Sequence, residues 1–138
     1  MQLQDCNLLM RESKAFVRFI ALFLIMSSCT QLSKATSKGD LYKLLTEGIC
    51  IGCNLKNADL SHADLRSTDL KGANLSGANL SNSILDNSNL ESSDLSSATL
   101  YNASLKNVNL SNAIITDADF RNSDLTNAII DIKALQNT

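Results

Sequence analysis

Two cysteines three residues apart, Cys50 and Cys53, are the residues of this 138-residue chain whose type and spacing point most directly to chemistry. A C-x-x-C pair serves thiol–disulfide exchange, or supplies half of a zinc site when a second pair or a histidine stands at ligand spacing. No second C-x-x-C is present, and the one histidine, His62, does not complete a site. No metal ligand is therefore assigned. His62 has no converging acid, base or nucleophile, so no catalytic residue is assigned either, and it is expected on the solvated surface. The sequence carries no glycine-rich phosphate loop and no H-E-x-x-H, so no cofactor is expected. The other two cysteines, Cys6 and Cys29, lie in a different kind of segment.

That segment opens the chain. Residues 19–26 form an unbroken apolar run, preceded by Arg11, Lys14 and Arg18. Eight residues are too few to span a bilayer, which takes roughly 20. A positive leader followed by a short apolar core suits a secretory signal, and Ser33-Lys34-Ala35 fits small-x-small cleavage with a mature start near Thr36. Two alternatives stay open: Cys29 as a lipidated residue after Met26-Ser27-Ser28, and an uncleaved membrane anchor. Residues 1–35 hold four basic and two acidic side chains, whereas residues 36–138 hold eight basic and twelve acidic ones. The main body is thus mildly acidic and shows no basic patch, which argues against phosphate-backbone contacts with nucleic acid.

The rest of the chain is written in fives. From residue 55 to 130 a bulky apolar residue falls at every fifth position: Leu55, Leu60, Leu65, Leu70, Leu75, Leu80, Leu85, Leu90, Leu95, Leu100, Leu105, Leu110, Ile115, Phe120, Leu125 and Ile130. Two residues before each stands a small one, Ala in nine of the sixteen units. The residue just before each is Asn or Asp in eleven. A period of five fits neither the 3.6 of an α-helix nor the 2 of a strand. It fits a solenoid in which every unit turns the chain by the same amount and stacked coils bury one large and one small side chain per unit. Asn and Asp beside the corner are expected to bond nearby backbone and to tolerate turn geometry.

Charge placement bears on the number of sides. Twenty residues per coil would stack Arg66, Asp86 and Lys106, and Lys71 with Glu91, with no like-sign neighbours. Fifteen would set Lys56 against Lys71 and Lys106 against Arg121. Four sides are therefore expected. In this register Cys50 takes a large inward position and Cys53 a small one, so both are read as structural, as thiols or as a local disulfide.

The unbroken run of Ala-Asp-Leu-x-x and Ala-Asn-Leu-x-x units resembles the pentapeptide-repeat proteins abundant in cyanobacteria, over about 80 of the 138 residues. The resemblance implies an all-β solenoid, a right-handed quadrilateral β-helix of about four coils, ~20 Å long at strand spacing. Departures are Ile84, Ile114 and Ile129 at the Asn/Asp position, Val108 in the small column, and Phe120, whose ring would cover the open end. A short N-terminal capping helix is expected from Asp40 as N-cap, the apolar face of Leu41, Leu44 and Leu45, and Gly48 as the stop. Ile132-Lys133-Ala134-Leu135 breaks the rhythm and is expected to close the last coil.

The domain organisation follows: 1–35 signal peptide or anchor, 36–49 linker and capping helix, 50–132 repeat β-helix, 133–138 tail. The expected function is a non-catalytic structural or protein-interaction module outside the cytoplasm, in the periplasm, thylakoid lumen or extracellular space, with a protein partner and as a monomer or end-to-end dimer. A membrane-anchored form is the second localisation. Two alternatives belong to other classes. Some members of the family protect DNA gyrase as acidic rods, which implies a DNA-mimic inhibitor of a topoisomerase-type enzyme. A thiol redox protein would work through Cys50 and Cys53, given solvent access.

Overall fold

The computed structural model describes residues 38–131. Readings that fall on the leader, on Cys6 and Cys29, and on the segment from Ile132 onward lie outside the described residues. The first element is a helix, α1 (Lys38–Glu47), followed by a long stretch of short extended pieces and turns. Only two runs extend to two residues of strand: β1 (Asn109–Leu110) and β2 (Ile129–Ile130), paired in parallel. Twelve further parallel bridges run from Ile49↔Asp69 to Ser104↔Asp124. Every one of these links joins residues twenty apart. The chain therefore returns to the same place every four units, as the charge pattern indicated.

Strand content is small for a physical reason. Each five-residue unit spends two residues on a turn, leaving three extended, of which the middle one forms the bridge. The turns are all alike. The amide of Ala58 donates to the carbonyl of Leu55 at 3.0 Å, and the same bond recurs as Ala73 to Leu70, Ala78 to Leu75 and Ala98 to Leu95. The residue two places after each large one has positive φ, between 55° and 66°, from Gly52 and Asn57 through Asn127. A four-residue turn with positive φ at its third position is type II. An L-residue there costs roughly 1–2 kcal/mol, less for Asn, while Gly has no Cβ to clash; Asn is the commonest occupant.

The expected turn-forming role of the Asn/Asp column thus divides in two. The left-handed conformation sits three residues further on. What the Asn/Asp side chain does is accept a backbone amide two residues ahead: Asp94 takes the N–H of Ser96 at 2.9 Å, Asn74 that of Ser76 at 3.0 Å, Asp124 that of Thr126 at 3.0 Å. All eleven Asn and Asp residues of the column, from Asn54 to Asp124, make this bond.

With that bond every amide of a unit finds an acceptor. In the unit from Leu75 to Asn79, Leu75 and Gly77 donate to Asp94 and Ser96 of the next coil. The amide of Ser76 goes to the side chain of Asn74, and that of Ala78 to Leu75. Asn79 donates back to Ala58 of the previous coil.

The core is one continuous column. Leu55 to Leu110, at every fifth position, are fully enclosed, with the alanines between them. Ser83, Ser93 and Thr68 are admitted to the small column because each hydroxyl donates to the carbonyl three residues back, at 2.7, 2.8 and 2.7 Å. Ile115 remains buried, but Phe120, Leu125 and Ile130 are only half-buried. They lie in the last coil, and among the described residues no further coil stacks on them.

Helix α1 begins at Lys38, so Asp40 lies inside the first turn and not at the cap. An acidic residue there still complements the helix dipole. Its carboxylate accepts the amide of Asn54 at 2.9 Å, which ties the helix to the first coil. Leu41 and Leu44 are buried and Leu45 half-buried, the face the spacing predicted. Gly48 ends the helix at φ 69°, its amide donating to Leu44 at 3.0 Å.

Two substitutions test this construction in opposite directions. Leu90→Ala removes a fully enclosed side chain and is expected to cost about 2–5 kcal/mol in thermal or denaturant unfolding. Ser97→Gly relieves a left-handed L-residue on the exposed corner and is expected to be stabilising by up to about 1 kcal/mol. A destabilising Ser97→Gly would contradict the turn assignment.

Candidate interaction surface

Outward side chains stack in columns twenty residues apart, one above another at each corner and on each side. Asparagine amides climb these columns. Asn107 donates to Asn87 and Asn127 to Asn107, each at 3.2 Å; Asn102 donates to Asn82 at 2.8 Å. Asn89 reaches Asp69 at 3.1 Å and Asn79 reaches Asp59 at 3.3 Å. The surface is thus a set of polar ladders that bond to themselves.

The expected charge stacking is met in part. Lys71 and Glu91 pair across one coil at 3.0 Å. Arg66 does not take Asp86; it forms a two-bond pair with Asp64 on its own turn, at 2.6 and 2.8 Å. A local carboxylate that fits the guanidinium fork outcompetes one a coil away. Asp86 is used differently. Where the column has Ser104 in place of Asn or Asp, Asp86 from the coil before accepts both the Lys106 amide at 3.1 Å and the Ser104 hydroxyl at 2.6 Å. The Lys106 ammonium turns to Asp124 at 3.4 Å.

The remaining residues singled out in the sequence fall as follows. His62 is exposed at a left-handed corner, φ 60°. Cys50 and Cys53 are joined in a disulfide with Cα atoms 5.3 Å apart, and both are buried. Among the described residues no three His, Cys, Asp or Glu side chains converge as metal ligands. No described helix is long and apolar enough to cross a membrane.

Of the exposed large apolar residues, Ile84 and Ile114 were marked in the sequence as departures from the code, whereas Tyr101 and Ile51 were not. Tyr101 and Ile51 occupy corner positions that are polar elsewhere; Ile84 and Ile114 occupy the Asn/Asp column; all four stand well out into solvent. The available signal was that they break the polar half of the five-residue code. Tyr101 sits one coil before Arg121 in the same corner column.

Comparison with known proteins gives a consistent result. The family model described as pentapeptide repeats matches eight copies, over residues 45–77, 73–112 and 103–131. Among solved structures, the chain is 31% identical to a pentapeptide repeat protein from the thylakoid lumen of Arabidopsis thaliana, covering 47% of this chain and 45% of that one, TM-score 0.47. It is 37% identical to HetL, a Nostoc pentapeptide repeat protein involved in heterocyst differentiation regulation, covering 55% and 38%, TM-score 0.36. A third, also from Nostoc, is 28% identical and covers 73% of each chain, TM-score 0.42. The chain thus spans less than half the length of the first two. No curated protein matches it significantly.

The ion pairs on the surface carry a pH signature. The hydrogen bond from the Arg121 guanidinium, with a second from the Arg121 amide, lowers the Asp119 carboxyl from its ordinary 3.8 to about 2. Asp124 is lowered by the Thr126 hydroxyl and amide, with Lys106 adding to them. A carboxyl lowered in the folded state stabilises it fully above the ordinary carboxylate range, and that contribution fades as pH falls toward 2. An NMR titration is expected to place the Asp119 midpoint near 2. Arg121→Ala should move the midpoint up only part of the way, because the backbone donor stays. An unchanged midpoint in that variant would contradict the pairing.

Proposed function

Because the chain belongs to the pentapeptide repeat family, we propose that it is a non-catalytic structural or protein-interaction module that works outside the cytoplasm. In this reading residues 50–132 form the family's right-handed quadrilateral β-helix of about four coils, α1 covers the first coil, residues 1–35 direct export or anchor the chain, and 133–138 are a tail. The single observation that carries it is the economy of the surface. The Asn and Asp side chains are committed to amides and ladders within the rod. What is left to offer a partner is shape and a few apolar or aromatic points, foremost Tyr101 in the same corner column as Arg121. Tyr and Arg are the residue types that most often anchor protein interfaces.

Export is supported by the apolar run at 19–26 behind its basic leader and by the Cys50–Cys53 disulfide, a bond that persists in oxidising compartments. The test expresses the full chain in its native host with a photo-crosslinking residue at position 101 or, as control, at position 97. Fractionation is expected to recover the protein outside the cytoplasm with its new N-terminus near Thr36. Crosslinking is expected to give one discrete adduct from position 101 and none from 97. A full-length cytoplasmic protein would overturn the location. Equal adducts from both positions would overturn the surface.

A further inference from the structure

The Cys50–Cys53 disulfide is the one inward pair among the described units that is covalently linked, and it sits where helix α1 meets the first coil. We propose that it is a redox latch: intact, it holds α1 on the rod; opened by a dithiol reductant, it lets α1 go.

The geometry shows what each side of the latch grips. On the rod side the disulfide is fixed by the backbone ladder. The Cys50 amide donates to Asp69 at 2.7 Å, and the Cys53 carbonyl accepts from Asn74 at 2.8 Å. On the helix side the Cys50 sulfur lies 3.2 Å from the Asp40 carbonyl oxygen, and Leu41 and Leu44 share its buried cluster. A disulfide sulfur has no proton to give, so that contact is packing. Cys50 is wholly enclosed and Cys53 is 5% exposed.

Two thiols need more room than one disulfide, because non-bonded sulfurs stand further apart than bonded ones. At a site this fully enclosed, something must move. The ladder below is continuous through every coil. The C-terminal end of the helix is anchored, the Gly48 carbonyl accepting the Asp69 amide at 2.9 Å. Its first turns rest on side chains, Leu41, Leu44 and Asp40 among them, and not on the backbone ladder, so they are the part that gives. At ten residues α1 is too short to stay helical unsupported once it leaves its seat. The reaction balances simply. When local opening at the end of the rod admits it, a reductant thiolate attacks the sulfur of Cys53, the less enclosed of the two, and Cys50 leaves as a thiolate that takes up a proton. The second reductant thiol displaces Cys53, which is also protonated. The reductant ends as a disulfide, having given two electrons and two protons.

The test uses the full chain, oxidised, then treated with dithiothreitol. The state of Cys50 and Cys53 is read by alkylation and peptide mass spectrometry, which separates them from Cys6 and Cys29. Hydrogen exchange is followed on peptides covering α1 and on peptides covering residues 90–105. Reduction is expected to speed exchange in α1 by at least about tenfold, leave 90–105 unchanged, and reverse on reoxidation. The double variant Cys50→Leu/Cys53→Ala, which writes the ordinary large–small pair into the first unit, is expected to keep α1 protected with or without dithiothreitol. Full reduction with α1 still protected would overturn the latch. So would a response to dithiothreitol that persists in the double variant, since it would then arise from the other cysteines.

Discussion

In the units that carry Asn or Asp before the leucine, five backbone amides find five acceptors, and the way they do so dictates nearly everything else. Two go to the next coil, one returns to the previous coil, one closes the turn, and one is met by a side chain. An unmet amide inside such a packed rod costs about as much as a lost hydrogen bond, and the cost would recur in every unit. The fifth amide explains why Asn or Asp stands where it does. The three between-coil bonds force the twenty-residue register, and the turn bond forces a left-handed residue at every corner. Leucine faces inward because the turns leave it no other direction.

This solution consumes the polar groups that another protein would use for chemistry. The carboxylates of Asp64 and Asp119 are occupied by arginines and by backbone, and Asp86 repairs the unit that lacks its own acceptor at Ser104. A surface whose side chains are already bonded to each other is stiff and regular. It suits presentation of a fixed shape, and it leaves recognition to the residues that depart from the code, such as Tyr101 and Ile114. The first unit departs as well, with cysteines in both inward positions, and there the departure couples the rod to α1.

Much of this was legible before any coordinates. The inward column from Leu55 to Ile115 and the inward facing of Cys50 and Cys53 follow from counting in fives, the four-sided register from the placement of charges, and the stop at Gly48 from helix-end chemistry. Other features were not, because they depend on competition between near neighbours that a one-dimensional pattern does not resolve. Arg66 had two carboxylates within reach and took the nearer, better shaped one, Asp64. Helix α1 starts two residues before its expected cap, and the Asp40 side chain instead takes the amide of Asn54, fourteen residues away. The position of the left-handed residue was hidden because Gly, Asn, Ser, His and Asp all occupy it, so no single residue type marks it.

The most direct test of the central claim is the partner of each leucine amide. Scalar coupling across hydrogen bonds, measured by NMR on the isotope-labelled chain, reads that partner one bond at a time. The structure predicts couplings from the amide of Leu75 to the carbonyl of Asp94, from Leu80 to Thr99 and from Leu85 to Ser104. Couplings to carbonyls four residues back, or to a register other than this one, would contradict it.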